Sequence, residues 1–357
     1  MDTKNWHDLM SMESQDIVQQ RFERIHAKGL SARRAREINA AAKQAREYFR
    51  NSSNADYSVR PLLTFYGVAS LSRALVLLLR AEGGEECLTP RHGLETVGWR
   101  KMLPSCTSTG LGNLRLLKIR SCGGLFSDFM EHTRNTVLLK VGAFFGNSGL
   151  SYDIPDEAVE ISVDDLFRRI PDVEDYSMLS GRFHCALAND LSFNNKDGLR
   201  VVVVDKQASA ELIDYYTSQG YNASSRDGTS CVLSCDMETA LKGLPLFIYT
   251  YLNKGAGWFH FLHMAKPFPR GACYSQLCIT YMVSYILGML ARYYPTHWMA
   301  LIHGSKGDSL WPAMSRAQEV VKHTFPELVA EFIRWKVYEN GEAKHALPTI
   351  LDEDGAK

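Results

Sequence analysis

Arg292 and His297 stand on either side of Pro295 in the stretch MLARYYPTHWMALI, which closes an almost wholly apolar run. A guanidinium and an imidazole so placed suit chemistry at a phosphate. Near neutral pH the imidazole can take or give the proton of an attacking hydroxyl, and the guanidinium can hold the charge that builds on phosphorus oxygens. The competing reading is structural. Arg292 then caps the last carbonyls of a buried helix, and His297 sits on a partly exposed turn. Two residues at this spacing are common, so both readings stand.

Other chemistry-bearing residues are sparser. Arg73 lies among Leu71, Ala74, Leu75, Leu77 and Leu78. It either snorkels to solvent, meets a buried carboxylate, or forms an anion site in a cleft beside Arg60, since an unpaired buried cation costs several kcal/mol. Arg33, Arg34 and Arg36 crowd one segment and, with Arg60 and Arg73, make the candidate set for nucleic acid or another anion. His260, His263, Cys273 and Cys278 do not form a standard ligand string, and on a strand the two histidines point to opposite faces. Cys231 and Cys235 share a strand face as small hydrophobes. STGLGNL lacks the third glycine of a dinucleotide loop, and no phosphate loop occurs. HGSKGDS reads as a helix connection with a lysine. No metal, no other cofactor and no hydrolase elbow is expected.

These residues must be positioned by two kinds of element. SQDIVQQRFERIHAKG, with Ile17, Phe22 and Ile25 on an apolar face, and LSARRAREINAAAKQAREYF, with Ile38, Ala41, Ala45 and Phe49, read as helices. Pro61 opens a third, LLTFYGVASLSRALVLLL. This run is barely long enough to span a membrane and contains Arg73, so a core helix is expected. Glycines break up Thr89 to Gly124 into loops and short pieces. NTVLLKVGAFF reads as a strand and ISVDDLFRRI as a short helix with acids first and arginines last. RFHCALAND, LRVVVVDK, TSCVLSCD, LPLFIYTYL and WFHFLHM read as strands, with ASAELIDYYTSQG a helix among them. CYSQLCITYMVSYILGMLARYY is apolar around nearly its whole circumference and belongs at the centre of a bundle. Pro295 ends it. HWMALIHG, LWPAMSRAQEVVKHTF and ELVAEFIRWKVY follow as separate helices.

The fold expected is therefore α+β: a helical bundle formed by N- and C-terminal helices with an inserted, mainly antiparallel α/β segment. The corresponding regions are 14–134 (helical), 135–264 (inserted) and 265–345 (helical). Met1 to Met12 and Asp352 to Lys357 are short of helix or strand pattern. The net charge of zero conceals an asymmetry: residues 14–146 hold 20 Lys/Arg against 11 Asp/Glu, and residues 151–176 hold 9 acids against Arg168 and Arg169. A basic lobe could meet phosphates, or the acidic segment could screen it within the same molecule. Eight scattered cysteines and no signal peptide fit a reduced cytoplasmic protein with no membrane attachment.

NWHDLMSMESQ, SVRPLLTFYGVASLSRALVLL, RHGLET, DLFRRIPDVEDY, LGMLARYYPTHW and HTFPELV together resemble the YaaC-like family of bacterial proteins, over most of the chain. The resemblance implies a bacterial cytosolic protein and carries over no catalytic residue. Arg292, Tyr293, Tyr294, Pro295 and Trp298 look like the family pattern, whereas His297 is not part of it. The spacing of Arg292 and His297 also resembles the active site of HEPN ribonucleases, helical bundles that usually dimerise and cleave RNA without metal. Two expectations follow. The first is a protein that acts by interaction with a partner protein or nucleic acid through the basic lobe. The alternative is a metal-independent ribonuclease, a toxin or antiviral effector, homodimeric and using Arg292 and His297.

Overall fold

The computed structural model describes residues 3–103, 111–141, 146–173, 176, 184–194, 197–204, 209–225, 230–255, 260–304 and 308–339. The N-terminal helices are α1 (Thr3–Met10), α2 (Gln15–His26), α3 (Ala32–Asn54) and α4 (Arg60–Leu79). Serines start two of them: Ser14 Oγ accepts from Ile17 N–H and Ser31 Oγ from Arg34 N–H, satisfying donors that a helix start leaves open. Helix α1 departs from expectation. Trp6 and Leu9 bury one side of it, and the Trp6 ring lies 5.4 Å from Phe49. Two apolar residues three apart suffice when a neighbouring surface needs covering. In α2 the buried face runs through Val18, Phe22 and Ile25, while Ile17 is exposed.

Short helices follow as α5 (Trp99–Met102), α6 (Leu125–His132), α7 (Val163–Phe167), α8 (Ser209–Ser218) and α9 (Met237–Lys242), and then the bundle closes with α10 (Gln276–Tyr293), α11 (Pro295–Ile302) and α12 (Trp311–Glu339). Residues 276–291 of α10 are all buried, as its apolar circumference requires. It packs against both α4 and α12, so the two ends of the chain share one bundle. Helix α4 is long and apolar enough to cross a membrane, but 67% of its most apolar window is buried inside the fold, so it is a core helix. The two helices expected after Leu310 are one, because α12 runs through Pro326.

Gly288 sets the approach of α4 to α10. A Cβ there would stand 2.8 Å from the Phe65 Cβ, an atom fixed to the backbone. Gly288→Leu is therefore expected to destabilise the chain by roughly 3 kcal/mol, the upper part of the overpacking range. Urea unfolding reads this directly, and an unchanged midpoint would reject the close crossing.

Among the described residues all strand pairs are antiparallel. β1 (His92–Val97), β2 (Lys118–Gly124) and β5 (Ile161–Ser162) form one sheet, and β3 (Thr136–Val141) with β4 (Gly146–Ser151) a hairpin. The six-stranded sheet has the order β10-β11-β6-β7-β9-β8, from β6 (Cys185–Asn194), β7 (Gly198–Val204), β8 (Asn222–Ser225), β9 (Ser230–Cys235), β10 (Leu246–Lys254) and β11 (His260–Ala265). The region 14–134 thus contributes β1 and β2, and the small sheet joins it to β5 beyond residue 134. A second hydrophobic core, from Ala186 to Met264, lies between the large sheet and α8, with Leu212 and Tyr216 buried in it. Strand β10 belongs instead to the main core with the bundle. Its outer edge is covered by side chains. Gln276 Oε1 accepts from Tyr249 N–H at 3.0 Å, and Asp172 accepts from the N–H groups of Tyr251, Leu252 and Asn253, so backbone donors that an edge strand leaves open are satisfied.

Candidate functional site

Helix α10 emerges from the core only at its last residues, and Arg292 and Tyr293 are exposed there. A cation at a helix C-terminus is favoured by the backbone dipole. Arg292 Nη1 donates to the Tyr66 hydroxyl of α4 at 2.9 Å, and its guanidinium lies 5.0 Å from the Tyr293 ring centre. Tyr66 stacks on Tyr48 of α3, with centroids 5.5 Å apart and planes 27° from parallel. Beneath them His92 packs edge-on against Phe65 at 5.0 Å. Burial, aided by the Arg292 charge, holds the His92 imidazole below its ordinary range. The result is an arginine set among tyrosines from three helices.

His297 has different surroundings. It is 6% exposed rather than on an open turn, and its ring meets Tyr294 edge-on at 6.0 Å. Its neighbour Trp298 pins α11 by donating from Nε1 to the Tyr57 carbonyl at 2.8 Å. The structure therefore places Arg292 exposed at the end of α10, against Tyr66 of α4, and His297 buried in the first turn of α11.

The arginine set is dispersed. Arg33 meets Glu86 at 3.0 Å and Glu37 at 3.6 Å. Arg34 donates to the carbonyls of Leu77, Arg80 and Ala81, so it caps α4, and burial lowers its pKa. Arg36 is exposed on α3. Arg60 donates to the Ala55 carbonyl and meets Glu319 at 3.4 Å. Arg73 snorkels, its side chain 42% exposed and 4.0 Å from Glu85. Arg60 and Arg73 are thirteen residues apart on α4, about 20 Å along its axis, so no single cleft holds both. Acids from residues 82–86 neutralise much of this corner, with Lys28 also meeting Glu82.

A denser polar cluster lies where α12 crosses β10 and β3. Lys140 Nζ meets Glu331 Oε1 at 2.9 Å, and the Tyr251 hydroxyl donates to Glu331 Oε2 at 3.0 Å. Lys254 meets Glu327 at 3.3 Å and His260 Nε2 lies 3.4 Å from Glu327 Oε1. Burial alone would raise the Glu327 carboxyl, but the hydrogen bond from His260 and the charges of Lys254, His260 and Lys140 outweigh it and hold it at about 2. Burial pushes the Lys140 ammonium down, against the pull of Glu331. His260, Glu327 and Glu331 are the described residues able to share a metal ion. The sequence carries a trace of this: Glu327 and Glu331 stand one turn apart beside the buried Leu328, Val329, Ala330 and Phe332.

The remaining candidates disperse. His263 lies near the Phe261 carbonyl, Cys278 is buried in α10 and pushed up to about 12, and Cys235 lies in the second core with Cys231 against it. The described cysteines are free thiols. Residues 108–110 of STGLGNL, 305–307 of HGSKGDS, Cys106 and the tail from residue 340 lie outside the described residues. No curated protein and no solved structure matches the chain. The family model described as YaaC-like Protein matches residues 10–333, which include α2 to α11 and most of α12, both larger sheets, the Arg292 corner and the α12 carboxylates. The chain therefore belongs to the YaaC-like family.

Proposed function

We propose that this protein acts by interaction, and that the partner is single-stranded nucleic acid held where α10 leaves the core. The observation that carries this reading is the exposed Arg292 beside Tyr293, which is 61% exposed, and the Tyr48–Tyr66 stack. Aromatic faces stack bases with little sequence preference, at about 1–3 kcal/mol per base, and an arginine among them holds the backbone phosphate. The corner of Arg33 and Arg34 supports it less, because carboxylates and carbonyls already occupy those guanidinium groups.

Fluorescence anisotropy with labelled single-stranded RNA tests the proposal. Binding should weaken steeply with salt, and Arg292→Ala should lose about tenfold in affinity, with a similar loss for Tyr293→Ala. No binding at low ionic strength, or variants that bind like the parent, would overturn it and favour a protein partner. The ribonuclease version adds His297 as the proton-transfer group and requires its buried ring to become reachable by RNA held at Arg292. It predicts chelator-resistant cleavage abolished by both His297→Ala and Arg292→Ala; binding without cleavage leaves the interaction reading alone.

A further inference from the structure

Away from the Arg292 corner, the geometry points to a divalent transition-metal site formed by His260 of β11 with Glu327 and Glu331 of α12. His260 Nδ1 lies 2.7 Å from the Thr250 carbonyl oxygen. A carbonyl only accepts, so Nδ1 carries the ring proton, and Nε2 faces Glu327 Oε1 at 3.4 Å. At Nε2 either a second ring proton donates to Glu327 or a metal ion takes that proton's place between the imidazole and the carboxylate. A far N–H anchored on a backbone carbonyl is also how metal-ligating histidines are held in orientation. The 3.4 Å separation matches the edge of a tetrahedron whose metal–ligand bonds are about 2.1 Å.

The two carboxylates suit the same role. They are one helical turn apart, and one donor atom from each of the three residues lies within 4.8 Å of the others. The side chains of His260, Glu327 and Glu331 are 10%, 13% and 12% exposed, so the site is largely dry. The Tyr251 hydroxyl fixes Glu331 Oε2, and its ring lies 4.4 Å from the His260 ring. One imidazole with two carboxylates is a donor set for Zn²⁺ or Mn²⁺, with room in the coordination shell for water. Lys140 and Lys254 are the metal's competitors: their ammonium groups hold the two glutamates in its absence, and an incoming ion displaces at least one of them.

The test uses the full chain after dialysis against a chelator. Titration with Zn²⁺ alone, read by calorimetry, should show about one ion per chain, and Co²⁺ should give visible absorption bands of a low-coordinate site. Glu327→Gln, which keeps the side-chain shape, should weaken Zn²⁺ binding about hundredfold with an unchanged circular dichroism spectrum. Lys254→Met should tighten it about threefold, because a competing cation is gone. A cluster that is only an ion-pair network gives the opposite pattern: no stoichiometric Zn²⁺ uptake by the parent, the same weak binding in Glu327→Gln, or no gain in Lys254→Met. Any of these overturns the site.

Discussion

Asp172→Ala is expected to destabilise the chain by about 3–5 kcal/mol, because it strips the acceptor from three backbone donors at once, that of Tyr251 buried and those of Leu252 and Asn253 partly buried, and removes a buried carboxylate near Arg316. Asp172 is 3% exposed in the turn at Pro171–Val173. Its Oδ2 accepts from Tyr251 N–H at 2.6 Å, and its Oδ1 from Leu252 and Asn253 N–H at 3.2 and 3.1 Å. Burial pushes the carboxyl pKa up, and the three N–H groups pull it back toward the carboxylate. Each donor left without a partner costs about 1–3 kcal/mol, reduced where the strand can relax. Asp172→Asn keeps Oδ1 in place but turns an NH₂ toward Tyr251 N–H, so its cost should be smaller, about 1–2 kcal/mol. Urea unfolding of both variants measures the difference. A loss below about 1 kcal/mol for the alanine variant would show that the β10 edge does not depend on this side chain.

The second large effect is a loss of stability in mild acid traced to His184. Burial, with Arg169, Arg168 and Lys266, pushes its imidazole down to about 3, and these outweigh the opposing charge of Asp165. His184 is then neutral in the fold and titrates near 6.5 in the unfolded chain. As the pH falls through 6.5 the unfolded state takes a proton that the folded state refuses. Stability therefore declines from pH 6.5 toward 3, by about 2–3 kcal/mol between pH 6.5 and 4.5. His184→Asn should flatten that decline when unfolding midpoints are measured across the interval. Parallel pH profiles for parent and variant would contradict the assignment.

Much of the architecture was legible because it follows from local pattern. The all-round apolar sequence of α10 demanded a buried position, and β-branched runs such as LRVVVV demanded strands. Pro326 misled the reading of α12. A proline usually breaks a helix because it removes an N–H and crowds the preceding turn. Here Phe325, Val329, Phe332 and Ile333 bury the helix on both sides of it, and packing prevails over local preference. The Arg292 corner was legible only in part. Its arginine and Tyr293 are visible in the sequence, but the hydroxyl that receives Arg292 lies 226 positions away. The same holds for the other cluster, where Lys140 and Glu331 are 191 positions apart. Charge counts overstated the basic lobe for the same reason, since composition does not show that Arg33 finds Glu86 across 53 positions.

The most direct measurement is ultraviolet crosslinking of the purified chain to single-stranded RNA, followed by mass-spectrometric mapping of the modified peptides. Crosslinks on Tyr293, Tyr48 or Tyr66 that vanish in Arg292→Ala are the predicted result. Modified peptides confined to other surfaces, or crosslinks indifferent to Arg292, would contradict a nucleic-acid face at the end of α10.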